Sequence, residues 1–280
     1  MPNDAGDFST FFIDGLPYQA EQEPDLGWLN AYGRVFRVFD QQPSGRLGFG
    51  VEGPYGRLFV KYAGARTVNF RGRPDEAVRA LRDAMPLYSL QHPALTRLMA
   101  HGATDGGYAA IFAWRDAQPL RAVYDQVRRL PLLHALNMLD SVFDLHAALA
   151  EKGLVAVDFW DGNVLIDFAQ NEAIVCDIDL YRRKPAVNDR GRMWGSSRFM
   201  APEEYEKGAA LDECTNVYAM GALAFAFFGD NRDRKRKSWL GPAPLFPVAE
   251  KATQEKREAR YPSLRAFLNA WREAVGYVDL

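Results

Sequence analysis

At 280 residues the chain is long enough to bury one large core or two modest ones. Its 34 Lys and Arg nearly balance 36 Asp and Glu, which argues against a dedicated nucleic-acid surface, because such a surface carries a basic excess. Cys176 and Cys214 are too few for a disulfide scaffold and lack metal-site spacing. The opening Met-Pro-Asn-Asp-Ala-Gly-Asp has no basic segment followed by an apolar one, so no signal peptide is expected. The longest apolar run, 217–228, has 12 residues, whereas a bilayer span takes about 20. A cytoplasmic protein without a membrane span is expected.

Residues 1–33 precede the first convincing strand and form an N-terminal extension. Within it, Phe11-Phe12-Ile13 and residues 26–29 either pack back on the core or anchor a partner. Segments 34–39, 47–52 and 58–62 are short and apolar-rich. They are separated by Gln42-Pro43-Ser44-Gly45 and Glu52-Gly53-Pro54-Tyr55-Gly56, both good turn sequences, which predicts an antiparallel three-strand meander. A helix follows over 75–88, with Pro86 expected to kink or end its last turn. Residues 95–99 and 108–114 read as two more strands. The polar Arg115-Asp116-Ala117-Gln118-Pro119 then breaks the pattern, placing a domain junction between 34–114 and 115–280.

The second half is mainly helical. Leu133, Leu136, Leu139, Phe143, His146 and Leu149 recur at three- and four-residue steps before Gly153, so His146 reads as a packed helix residue. Residues 217–228 are apolar on every face and predict a central buried helix. The basic segment 230–237 reads as a solvated loop or a docking patch for an acidic substrate, and 261–275 as a final helix.

The chemistry concentrates between these helices. Val157-Asp158-Phe159-Trp160-Asp161-Gly162-Asn163-Val164-Leu165-Ile166 is followed by Cys176-Asp177-Ile178-Asp179. A short apolar hairpin between the two would bring Asp158, Asn163 and Asp177 together, giving one oriented base and two oxygen ligands for a hard divalent cation. Asp161-Gly162 reads as a tight turn rather than chemistry. Lys61 lies inside an apolar strand, a costly place for an ammonium unless it reaches water or an anion, and a phosphate would satisfy it.

Together these features resemble the eukaryotic-type protein kinase superfamily, including its bacterial Ser/Thr members, over roughly residues 34–275. Lys61 in Leu58-Phe59-Val60-Lys61 looks like the strand lysine that holds the nucleotide's alpha and beta phosphates. His92-Pro93-Ala94-Leu95 resembles the turn into the fourth strand, and Phe112-Ala113-Trp114-Arg115 the hinge that receives adenine. Asp158 and Asn163 match the catalytic-loop pair, and Asp177 the Asp of the metal-binding turn. Gly195-Ser196-Ser197-Arg198-Phe199-Met200-Ala201-Pro202-Glu203 resembles the end of an activation segment. Arg260-Tyr261-Pro262 resembles the segment whose arginine pairs with the Glu of Ala-Pro-Glu.

The resemblance implies an α+β, two-lobed kinase-like fold. Its N-lobe would be a small antiparallel sheet with one main helix, and its C-lobe larger and mainly helical. It further implies ATP and magnesium as cofactors, with Ser44, Gly45, Lys61, Ala113 and Arg115 on the nucleotide and Asn163 and Asp177 on the metal. Asp158 would be the proton acceptor, and Glu76 the helix partner of Lys61, with Asp83 as the competing choice. The acceptor would be a Ser or Thr of a protein substrate. A small hydroxylated metabolite, or a scaffold that binds nucleotide without turnover, stays open.

Several positions depart from the family pattern. No Gly-x-Gly-x-x-Gly covers the phosphates; residues 40–45 take its place. The His and Arg before the catalytic Asp are Ala156 and Val157, which removes the usual counter-charge for a phosphorylated loop. Trp160 replaces a lysine near the transferring group, Asp179 stands at a glycine position with its role left open, and Asn216 stands where the core helix usually has an Asp.

Overall fold

The computed structural model describes residues 8–229 and 233–279. The first seven residues, the opening part of the basic 230–237 segment, and Leu280 lie outside the described residues. The chain divides into two compact units. One contains the chain up to Gln91 together with Thr96–Arg115, and the other contains His92–Leu95 and the chain from Asp116 onward.

In the first unit, strands β1 (Ser9–Ile13) and β2 (Leu16–Ala20) form an antiparallel hairpin. A five-stranded antiparallel sheet follows, made of β3 (Arg34–Phe39), β4 (Arg46–Gly53), β5 (Gly56–Ala63), β6 (Leu98–Thr104) and β7 (Gly107–Ala113), in the order β3-β4-β5-β7-β6. Strand alternation sets the core: Leu47, Phe49 and Val51 on β4 and Leu58, Val60 and Tyr62 on β5 are buried on one face. The N-terminal extension packs on this face. Tyr18, Ala20, Leu26 and Leu29 join the same core, while Phe12 points outward at 66% exposure. The backbone N–H of Val35 donates to Asp14 Oδ2 at 2.6 Å, tying the hairpin turn to the first sheet strand.

Helix α1 (Pro74–Ala84) starts with Pro74 at its first position and ends two residues before Pro86, in a 3₁₀ turn over Met85–Ser89. That is shorter than the expected 75–88, because Pro86 has no backbone N–H with which to continue the α ladder, and the chain tightens into the 3₁₀ turn. The fourth sheet strand begins later than expected, at Leu98. His92–Leu95 is instead claimed by the helical unit, where Ala94 O accepts from Val175 N–H at 2.7 Å and His92 Nε2 meets Asp144 Oδ2 at 3.3 Å.

The second unit opens with the short strand β8 (Gln118–Pro119), a one-turn helix α2 (Tyr124–Val127) and the long helix α3 (Leu132–Glu151). Leu136, Leu139, Phe143, His146 and Leu149 are buried along α3 as the periodicity predicts, whereas Leu133 is half-exposed. His146 is a packing residue. Its ring bonds Val142 O and Tyr181 Oη, and burial pushes its pKa down to about 4.

Then come β9 (Leu154–Val155), a hairpin of β10 (Val164–Asp167) and β11 (Glu172–Val175), and the two-residue strands β12 (Arg182–Arg183), β13 (Ala186–Val187) and β14 (Ala210–Leu211). Helix α4 (Glu213–Phe228) is buried on nearly every side, as its all-round apolarity requires. It starts four residues before the apolar run, because Asp212 caps it by accepting from Cys214 N–H at 2.9 Å. Helices α5 (Phe246–Ala252) and α6 (Leu264–Val275) complete the unit. The Ser263 hydroxyl caps α6, trimming the expected 261–275. Among the described residues no helix is long and apolar enough to cross a membrane.

Candidate active site

The β10–β11 hairpin holds three of the sequence-predicted residues at one end. Val164 pairs with Val175, so Asn163 and Cys176 face each other just beyond the strands, and Cys176 N–H donates to Asn163 O at 2.9 Å. Asn163 N–H donates to Trp160 O at 2.9 Å, and its Nδ2 donates to Asp158 O at 2.8 Å. These bonds close the turn from Asp158 to Asn163 and commit the amide nitrogen to it. The carbonyl Oδ1 is thereby the metal-capable end of Asn163. Asp158 and Asp177 both sit in left-handed backbone, with φ of 63° and 57°. That conformation is uncommon outside glycine, is tolerated best by Asn and Asp, and clusters at functional turns.

Electrostatics joins the two carboxylates. Burial, and then repulsion from Asp177, push the Asp158 carboxyl up to about 7. The donor set suits magnesium: a carboxylate and an amide carbonyl are hard oxygen ligands, and the mutual repulsion of Asp158 and Asp177 is what a divalent cation relieves. Among the described residues no three His, Cys, Asp or Glu side chains form a protein-only metal cage. Magnesium held largely by nucleotide phosphates and water does not need one.

Segment 195–203 lies beside this turn. Gly195, at φ 103°, comes so close that a Cβ there would sit 3.1 Å from Asp158 Oδ1. The other end of the segment is locked to the helical unit. Arg260 donates to both Glu203 oxygens at 2.8 and 3.0 Å, with both side chains buried. Burial alone would raise the Glu203 carboxyl; the hydrogen bonds and charge of Arg260 overcome this and hold it below its ordinary value.

One departure from the family pattern finds its reason here, and one turn residue proves to be more than a turn former. Asn216 on α4 accepts from Ala156 N–H and donates from Nδ2 to Ala156 O, both at 2.8 Å. An Asp at this position could not make the second bond. Asp161, read as a plain turn residue, is fully buried. It accepts from Arg198 Nη2 at 2.7 Å and from the Tyr124 hydroxyl. Its burial was not legible in Asp161-Gly162, because its partner lies 37 residues further along the chain.

The remaining predicted residues belong to the first unit. Lys61 on β5 is paired in register with Gly48 and Ala110, and its ammonium lies 5.6 Å from the Phe112 ring centre. Glu76 is half-exposed and engaged at the start of α1, where its carboxylate accepts from Arg73 N–H at 3.0 Å and faces the Arg73 guanidinium at 3.8 Å. Asp83, the competing choice, pairs with Arg82 at 3.3 Å on the exposed side. Both carboxylates thus have partners on their own helix. Ser44 and Gly45 lie in a turn whose Gly45 N–H donates to Gln42 O at 3.4 Å, and the Phe70 ring covers Gly45. Ala113 N–H donates to Arg97 O at 3.0 Å, and Arg115 closes the unit.

No protein-family model matches the chain. Several curated proteins do, among them three serine/threonine-protein kinases. Over 163 residues the chain is 25% identical to serine/threonine-protein kinase PknA of Mycobacterium tuberculosis, covering 56% of this chain and 37% of that one. Over 157 residues it is 26% identical to serine/threonine-protein kinase RUNKEL of Arabidopsis thaliana, covering 52% and 11%. Over 186 residues it is 24% identical to serine/threonine-protein kinase pkn2 of Myxococcus xanthus, covering 63% and 21%. The chain resembles bacterial and eukaryotic Ser/Thr protein kinases at modest homology. Its sheet-rich N-terminal region followed by a largely helical C-terminal region is consistent with a bilobed kinase-like fold. The matches span well under half the length of each relative, and they support a kinase-type function in general terms.

Proposed function

We propose that the chain transfers the γ-phosphoryl group of ATP, with magnesium, to a Ser or Thr hydroxyl of a protein substrate. One observation carries this reading: the turn that holds Asp158 against Asn163, within electrostatic reach of Asp177, with burial raising the Asp158 carboxyl above its ordinary value. A proton acceptor works best with a pKa near the operating pH. Asn163 Oδ1 and Asp177 would hold the cation, and Lys61 would meet phosphate oxygens, with Ser44, Gly45, Ala113 and Arg115 lining the nucleotide. Magnesium–ATP, when bound, supplies the electrophilic phosphorus and neutralises charge on its oxygens. The chain's own part is to orient the acceptor hydroxyl and take its proton on a carboxylate oxygen of Asp158.

A protein acceptor is favoured by the order of segment 195–203, anchored through Glu203 and Arg260 beside Asp158. A small-molecule acceptor has no use for such a platform.

The test is incubation of purified protein with labelled ATP and magnesium, scoring transfer to itself, to generic protein substrates and to a panel of hydroxylated metabolites. Transfer to protein hydroxyls is expected. Transfer confined to metabolites would replace the acceptor class, and nucleotide binding with no transfer would favour a scaffold. No magnesium-dependent nucleotide affinity even at millimolar concentration would overturn the reading altogether.

A further inference from the structure

The Asp161–Arg198 pair lies outside every role assigned above, yet it is more completely built than an ordinary surface contact. Asp161 is fully buried, and its Oδ1 has no hydrogen-bond partner among the described residues. Oδ2 takes the Arg198 guanidinium and the Tyr124 hydroxyl, and Arg198 Nη1 also reaches Tyr124 Oη at 3.4 Å. Burial and the bond to Asp161 hold the Tyr124 phenol firmly in its neutral, donating form. A buried carboxylate with one neutral donor and one cation depends heavily on the cation.

The two partners come from the two parts of the site that must be in register. Asp161 lies in the turn between Asp158 and Asn163, and its carbonyl accepts from Arg121 N–H at 3.3 Å. Arg198 lies in the segment that begins at Gly195, beside Asp158. Its Nε donates to Ser196 Oγ at 3.3 Å, and its carbonyl accepts from Arg234, whose guanidinium stacks on Tyr218 of α4. The segment is thus held at Arg198 through both side chain and backbone. Nothing in this arrangement requires an added phosphate.

We propose that Arg198 and Asp161 act as a positioning clamp, fixing segment 195–203 against the Asp158 turn so that the acceptor-binding surface is assembled without covalent modification. The acceptor role of that surface rests on the kinase reading above; the clamp itself does not. Arg198 and Asp161 are positioning residues, since neither is placed on the reacting atoms.

Hydrogen–deuterium exchange on dephosphorylated full-length protein tests the clamp independently of activity. In Arg198→Met and in Asp161→Asn, amides of 193–201 should exchange at least tenfold faster than in the unaltered protein. Those of α3 and α6 should not change, and Arg198→Lys should restore part of the protection. Unchanged exchange in 193–201 in both variants overturns the clamp. So does a uniform rise across the helical unit, which would mark a merely structural pair. In the transfer assay the same variants should raise KM for a protein acceptor at least tenfold while leaving KM for ATP within twofold. If the unaltered protein transfers nothing, the kinase reading fails and the exchange result still decides the clamp. If it transfers and both KM values stay put, the clamp's functional role fails alone.

Discussion

Arg260→Met is the most informative single perturbation of the helical unit. All five N–H donors of Arg260 are used: two on Glu203, and one each on Gln254 O at 2.6 Å, Glu255 O at 2.9 Å and Cys214 O at 3.1 Å. Its side chain is fully buried and that of Glu203 is 5% exposed. Removing one partner of such a pair strands a charge and costs about 3–5 kcal/mol. Arg257 Nη1 lies 3.6 Å from Glu203 Oε1 and is one-third exposed, so it compensates in part and sets the expected loss near the lower figure, ~3 kcal/mol. Against a total stability of about 5–15 kcal/mol this is large. Urea unfolding should show a lowered midpoint with an unchanged slope.

The sign with pH is fixed. Glu203 is held below its ordinary value, so the pair's stabilisation is present above the ordinary carboxylate range and is lost as pH falls through the lowered native value. The deficit of the variant should therefore be full at pH 7 and shrink in acid. Glu203→Gln combined with Arg260→Met should recover at least ~1 kcal/mol of the single-variant loss, since it removes the stranded charge. A loss under ~1 kcal/mol at pH 7, or strictly additive single variants, would refute the reasoning.

Asp158→Asn should keep nucleotide affinity and lose at least about 100-fold in turnover, the scale of a positioned proton acceptor, whereas Asp177→Asn should weaken magnesium-dependent nucleotide binding; equal affinity losses in both would mean the roles are misassigned. Alanine at both Ser196 and Ser197 should alter the initial transfer rate by less than about threefold, well under 1 kcal/mol in the barrier; a tenfold loss restored by phosphate at either serine would make the loop a switch. Glu204 is pushed up to about 8, chiefly by burial. Its contribution is complete below the ordinary carboxylate range and lost as pH rises toward 8, so Glu204→Gln should gain stability over the unaltered protein between pH 5 and pH 8, with a ceiling on the order of 5 kcal/mol. A stability difference independent of pH, read from thermal melts, would contradict that assignment.

Much of this was legible in the sequence wherever local pattern and tertiary demand agree. Segment 34–39 matches β3 because a short apolar-rich run followed by turn residues suits a strand, and the apolar run 217–228 lies within α4 because all-round apolarity demands burial on every side. The hairpin carrying Asn163 and Asp177 was legible because turn residues bracket two short apolar strands. Elements dictated by distant partners were not. The β12–β9 and β13–β14 ladders are two residues long and carry no pattern of their own. Asp212 caps α4 in concert with Thr215, a signal present in Asp212-Glu213-Cys214-Thr215 but hidden by the stronger apolar run after it. Glu76, the residue put forward as the partner of Lys61, occupies the third helical position of α1, and its cap on the first turn was carried by no pattern the sequence reading used.

The departures from the kinase pattern around Asp158 follow one physical logic. Val157 is buried with Val155, Met193, Met200 and Leu211, so an apolar side chain fills the place of the usual arginine and packs against the segment that follows Asp177. A buried carboxylate at 216 would then face the Ala156 backbone with no arginine beside it, and an unpaired buried charge is expensive. An amide avoids that cost and makes one bond more, satisfying both polar groups of Ala156. Exchanging a buried charge for apolar packing and neutral hydrogen bonds is often neutral or stabilising. The charge kept nearby, Asp161, has its own cation in Arg198. An Asp158 turn held in this way should respond little to ionic strength or to a phosphate placed on the neighbouring serines, which initial transfer rates measured across a salt series would check. Asn216→Asp should therefore destabilise the turn, whereas in a loop with an adjacent arginine the same change would strengthen it.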